Sequence, residues 1–313
     1  MRIRTKGEMS NSKQNLKKTE NGERLTDPEI LAKLARLTVK ARGLVEGTFS
    51  GMHKSPHRGA SVEFSQYREY VQGDDIANID WRVYARSDRF YIKEFEADTN
   101  LRCHLVLDAS ASMGYTNGDI SKLLYAKKMA ATLANLLVRQ GDSIGLQCFN
   151  EKLTRDIPAR NSARHLGTIQ SILSEIQPAG GTRLVKILHD LAEKVRKRAL
   201  IVIFSDFFTD VEELLDCFQH MRHRRHDLAV FHLMSPDELS FDFDRSTRFI
   251  DLESNTSIVT EPAIIKKEYL NVLNSYLERI RCGCAEYQVD YHLADTAISY
   301  DETLTNFLLN RHK

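Results

Sequence analysis

The stretch CHLVLDASASMGY, residues 103–115, decides how the chain folds. CHLVLD is a short, nearly continuous apolar run, as expected of a strand buried on both faces of a sheet. It ends in Asp108, and DASAS then sets an Asp and two Ser at alternate positions on a tight loop. Three similar runs follow, SIGLQCF, ALIVIFSD and LAVFHLM, separated by stretches with helical periodicity near 119–139, 162–176, 183–198 and 210–223. Strands alternating with amphipathic helices predict a doubly wound α/β fold around a mostly parallel sheet. Beyond Met234 the reading adds a strand at TRFIDL, a helix from Glu261-Pro262 to about Cys282, a strand at YQVDYHLA and a closing helix over Asp301–Leu309. The sheet then has about six strands.

In an open parallel sheet, ligands bind where loops converge at the carboxyl ends of the strands. Asp108 stands at such an end, and Asp206 ends ALIVIFSD at the same edge. Thr182, in PAGGTRL, follows two glycines that let the backbone come close. Asp108, Ser110, Ser112, Thr182 and Asp206 thus offer two carboxylates and three hydroxyls. That donor set suits a hard cation such as Mg²⁺ or Mn²⁺. The DxSxS loop alone is weak evidence, because Asp and Ser are ordinary turn residues. The ordered set of five is what points to a metal.

The same residues carry a resemblance. DASAS with the later Thr and Asp resembles, position by position, the metal ion-dependent adhesion site of von Willebrand factor type A domains. Upstream, RGASVEF and YREYVQGDDIANIDWRVYARSDRFYIKEFE resemble the bacterial domain-of-unknown-function 58 family, over roughly residues 45–300. Its GDDxxxIDW element is the specific part, although Ala77 stands where members commonly carry a basic residue. The resemblance implies a Rossmann-like, von Willebrand factor type A-like domain whose metal takes an acidic group from a protein partner. It also implies a MoxR-type AAA+ ATPase as that partner.

Three segments are expected: a basic, flexible tail over 1–24, a helix and β-containing segment over 25–99, and the main domain over 100–313. In the middle segment, Thr26 is the expected N-cap of a helix running to Ala41. WRVYARSDRFYIKEF reads as two strands around Ser87-Asp88-Arg89. Its acidic residues are expected to pair with Arg68, Arg82 and Arg86, and Trp81 to pack on the main sheet.

Several patterns carry no function in this reading. Gly141-Asp142-Ser143 mimics a hydrolase motif but opens a middle strand, and no base accompanies the serine. His220, His223 and His226 read as a solvated helix end among arginines. His53 and His57 acquire no role. Cys103, Cys148, Cys217, Cys282 and Cys284 are odd in number and scattered, which argues against a disulfide framework.

Forty-four basic against 43 acidic residues give a net charge of +1, so no global field favours nucleic acid. No apolar run approaches the ~20 residues of a membrane helix. A cytoplasmic location is the expectation. With no phosphate-cradling lysine loop and no zinc spacing, the expectation is a binding protein rather than an enzyme. The competing reading is a metal-dependent hydrolase or phosphotransferase using Asp108, although such phosphotransferases usually want a second Asp where Ser110 stands.

Overall fold

The computed structural model describes residues 25–40, 62–72, 79–97, 101–118, 120–243, 247–250, 252 and 257–312. They divide into two compact units, one within 43–100 and one formed by the segments on either side of it. The tail, His53, His57, Ala77 and the GDD of the signature lie outside the described residues.

Helix α1 (Pro28–Leu34) belongs to the larger unit, not to the smaller one with which the sequence reading grouped it. Its N-cap is Asp27 rather than Thr26: Glu29 N–H donates to Asp27 Oδ1 at 2.9 Å, with Pro28 just inside the helix. The helix stops at Leu34 instead of continuing to Ala41, and it buries Leu31 and Leu34.

The smaller unit pairs β1 (Val62–Glu69) with β2 (Tyr91–Ala97) in an antiparallel ladder. Between them the structure corrects the expected pair of strands, because Trp81–Ser87 is helix α2. Asp80 caps it, accepting from the Arg82 and Val83 amides, and Asp88 closes it with φ at 55°. Local capping thus overrides the apolar alternation. Trp81 meets Tyr84 and Phe90 edge-on within this unit.

The larger unit is built on six strands: β3 (Arg102–Asp108), β6 (Ser143–Phe149), β7 (Leu153–Arg160), β8 (Leu200–Ser205), β9 (Asp227–Met234) and β12 (Asp290–Asp295). The short hairpin β4 (Thr116–Asn117) and β5 (Ile120–Ser121) follows β3. Across the sheet the order is β12-β9-β8-β3-β6-β7, parallel except for β7. The first strand in sequence therefore lies centrally, and chain order reverses between β3 and β8. This is the switch point of a doubly wound sheet.

Side chains alternate across β3. Cys103, Leu105 and Leu107 join one core layer with α3 (Lys122–Arg139), α4 (Ala163–Glu175) and α9 (Tyr300–His312). Val106 joins the opposite layer with α5 (Leu184–Lys194), α6 (Val211–His223) and α8 (Pro262–Glu286). Strands read as continuous apolar runs because both faces are covered.

Two strand assignments change. TRFIDL supplies β10 (Thr247–Ile250), which among the described residues pairs with β11 (Ser257–Thr260) outside the main sheet. The sixth strand is instead β7, whose sequence LTRDIPAR alternates and keeps one side exposed, as an edge strand with a proline does. Helix α7 (Pro236–Ser240) leaves β9. Among the described residues, no helix is long and apolar enough to cross a membrane.

Candidate metal centre

Asp108 is the last residue of β3 and is fully buried. Both its oxygens are held. The Ser110 N–H donates to Oδ1 at 2.9 Å, and the Ser205 hydroxyl donates to Oδ2 at 2.6 Å. Ser205 ends the neighbouring β8, so this bond ties together two strand ends at the switch point. The loop then enters a single turn of 3-10 helix over Ala111–Gly114, which sets the Ser110 and Ser112 hydroxyls 2.7 Å apart. Both serines are buried.

A backbone clasp ties the turn that precedes Thr182 to the DASAS loop. Ala179 N–H donates to Ala109 O, and Ala111 N–H donates to Gly180 O, each at 2.9 Å. Gly180 takes φ of 72°, which its missing Cβ permits. The clasp brings the glycine turn against DASAS and carries Thr182 with it. Thr182 Oγ1 is buried and, among the described residues, has no hydrogen-bond partner. A buried hydroxyl left without a partner is costly, so it marks a place where a further group belongs. Asp206 follows Ser205 directly and is also fully buried.

The five residues singled out in the sequence therefore lie on three loops at the carboxyl end of the sheet's parallel strands. Three neighbours were not anticipated. Lys122, the first residue of α3, is fully buried, with Nζ 3.0 Å from Asp206 Oδ2 and 2.9 Å from Glu238 Oε1. Glu238 is itself fixed in a capping box, its Oε2 accepting from the Ser235 amide at 2.8 Å. Ser205 is the third. A lysine opening a helix and a glutamate in a short loop helix are ordinary surface patterns, so only the fold shows that they meet.

The electrostatics follow from burial. Desolvation, and next to it the Asp206 carboxylate, push Asp108 up to about 6, against the hydrogen bonds from Ser205 and Ser110. Burial opposes the Lys122 ammonium, but Asp206 and Glu238 outweigh it and hold the amine above the ordinary lysine range. His232, beside Ser205 on β9, is pushed down to about 4 by burial and is neutral. With every carboxylate ionised, Asp108, Asp206 and Glu238 face one ammonium, leaving two negative charges in excess. Excess buried charge of that sign calls for a cation.

The residues fit a divalent metal: hard oxygen donors, an unsatisfied hydroxyl and surplus negative charge. Among the described residues no group of three His, Cys, Asp or Glu side chains could hold an ion. The candidate centre depends instead on two carboxylates and three hydroxyls.

The decoys resolve simply. Asp142 Oδ1 accepts from Leu101 N–H at 2.8 Å and anchors the entry to β3. His220 meets His189, Nδ1 to Nδ1 at 3.1 Å, and His226 is buried rather than solvated. Cys282 is exposed and the other four cysteines are buried and free.

The strand order, with its reversal between β3 and β8, defines a doubly wound α/β domain. The chain belongs to the family described as protein of unknown function DUF58, whose model matches residues 66–272. Uncharacterized protein Rv1480 of Mycobacterium tuberculosis (strain ATCC 25618 / H37Rv) is 30% identical over 186 residues, covering 58% of this chain and 59% of that protein. Uncharacterized protein Mb1516 of Mycobacterium bovis (strain ATCC BAA-935 / AF2122/97) matches to the same extent. The chain thus spans about three-fifths of the length of these curated relatives.

Among solved structures, BatB from Bacteroides thetaiotaomicron is 14% identical with a TM-score of 0.46, covering 68% of this chain and 99% of that one. An aerotolerance-related membrane protein from Bacteroides fragilis gives 16% and 0.47, covering 67% and 100%. The SpRpn10 VWA domain gives 10% and 0.42, covering 66% and 95%.

Proposed function

We propose that the chain is a cytoplasmic, metal-dependent protein-binding module rather than an enzyme. Asp108, Ser110, Ser112, Thr182 and Asp206 would hold Mg²⁺ or Mn²⁺, directly or through water. When bound, the ion would supply positive charge for an acidic group of a partner protein. The observation that carries the reading is the Thr182 hydroxyl, buried without a partner among the described residues, on the loop clasped to Ala109 and Ala111. The chain's own residues do the positioning. Ser205 and the Ser110 amide fix the Asp108 carboxylate, and Lys122 fixes Asp206.

The partner in this reading is a MoxR-type AAA+ ATPase, as the family resemblance implies, in protein complex assembly or maturation. The enzyme alternative would use Asp108 as its nucleophile. Ser110 stands where such phosphotransferases usually carry a second Asp, which favours binding. Mixing the purified chain with a purified MoxR-type ATPase in Mg²⁺ should give a complex that EDTA dissolves and Asp108→Ala does not form. A complex indifferent to chelation contradicts the proposal. So does phosphate release from a phosphoester panel that depends on Asp108.

A further inference from the structure

Lys122 occupies an improbable place. The first turn of a helix carries the positive end of the helix dipole and favours acidic residues, yet here the first residue of α3 is a lysine. It is also fully buried, which lysine seldom is. Its ammonium lies between Asp206 and Glu238, with the rings of Phe208 and Tyr115 at 5.4 and 5.9 Å. Neither helix propensity nor apolar packing accounts for that arrangement. Conflicts between local preference and structure of this kind concentrate at functional sites.

The partners of Lys122 give the reason. Asp206 is one of the five candidate ligands, and its Oδ2 is committed to Nζ. Glu238 divides its oxygens, one to Lys122 and one to the Ser235 amide at the start of α7. Lys122 is thus a resident cation placed beside a divalent-cation site and sharing a carboxylate with it.

We infer that Lys122 is a positioning and specificity-determining residue, an internal counter-ion that sets the net charge, and hence the strength, of divalent-cation binding. The inference rests on the metal-binding reading above. Site charge then steps predictably. The wild type has three carboxylates against one ammonium. Lys122→Met adds one negative charge, Glu238→Gln removes one, and the double variant returns to the starting balance. At the distances inside a buried site, each unit of charge is worth about tenfold or more in affinity for a divalent ion.

The test is titration with Mn²⁺ alone, following free Mn²⁺ by electron paramagnetic resonance, with a thermal melt of each variant. The expected order of affinity is Lys122→Met tightest, wild type and double variant alike, and Glu238→Gln weakest. A merely structural lysine would give an order that follows melting temperature instead. Lys122→Met folded but binding no more tightly than wild type overturns the inference while the metal site stands. Absence of Mn²⁺ binding in wild type and all variants overturns both. Should Lys122→Met fail to fold, Glu238→Gln against the double variant reads the same single step of charge, and equal affinities there overturn the inference.

Discussion

The Ser205 hydroxyl donates to Asp108 Oδ2 across 2.6 Å, joining the ends of adjacent strands at the point where strand order reverses. With the Ser110 amide on the other oxygen, the carboxylate cannot rotate away from the hydroxyls beside it. Groups that orient a ligand in this way typically matter about 10–100-fold in metal affinity. Ser205→Ala should therefore weaken Mg²⁺ binding by at least about tenfold while leaving the fold intact. Calorimetry with a parallel thermal melt checks this, and unchanged affinity would show that Asp108 needs no such anchor.

A second buried network lies at the opposite end of the sheet. Arg311 Nη1 donates to Asp227 Oδ2 at 2.9 Å and to Lys40 O at 2.7 Å, and Nη2 lies 2.7 Å from Asp290 Oδ2. Arg311 thereby pins α9 to the starts of β9 and β12. Arg311→Met would remove the cation shared by two buried carboxylates, with Arg222 Nη1 still 3.9 Å from Asp227 Oδ1, costing about 3–5 kcal/mol. Urea unfolding should show this loss. A change below about 1 kcal/mol would mean that water reaches these groups.

Part of the acid sensitivity should arise at His104, alongside the buried His226 and His232, whose pKa values burial also lowers. The ring is buried in β3, with Nδ1 3.2 Å from Gln147 Oε1, and Gln147 Nε2 donates to Asp156. Burial lowers its pKa below the ordinary 6.5, against the Gln147 bond and the Asp156 carboxylate and with help from Arg102. The unfolded chain therefore takes up the proton first as pH falls through 6.5. Stability should decline from there until the folded-state pKa is reached. His104→Asn should lose less stability between pH 7.5 and 5.5 than wild type does, as measured by urea midpoints. Equal losses would assign the acid sensitivity elsewhere.

Gly145 lets β7 lie close against β6. A Cβ there would stand 2.8 Å from Ile157 O and 3.0 Å from Ala159 N, both backbone atoms. Gly145→Ala should cost about 1–3 kcal/mol by overpacking. Hydrogen exchange should quicken in Leu153–Arg160 before it does in β8. Uniform quickening across both strands would mean that the edge does not open on its own.

How much of this the sequence contained depended on whether the signal was local. Strands β3, β6, β8 and β9 were legible because burial on both faces leaves continuous apolar runs. β7 was missed because an edge strand half in water reads as charged loop. Trp81–Ser87 alternates like a strand, yet the capping carboxylate of Asp80 makes it a helix, and capping is easily overlooked when hydrophobic period is the guide. The candidate ligands could be seen because strand ends fix where Asp108 and Asp206 must lie. Lys122 and Glu238 could not, since their meeting joins residues 116 positions apart. Ser205 looked like one more core position of its strand.

Isothermal calorimetry of Mg²⁺ with the wild-type chain and Asp108→Ala tests the metal reading most directly. The expected result is one Mg²⁺ per wild-type chain, abolished by Asp108→Ala and weakened by Thr182→Ala, with all three proteins equally folded by circular dichroism. A wild-type chain that takes up no Mg²⁺ or Mn²⁺, or an Asp108→Ala variant that binds as the wild type does, would contradict it.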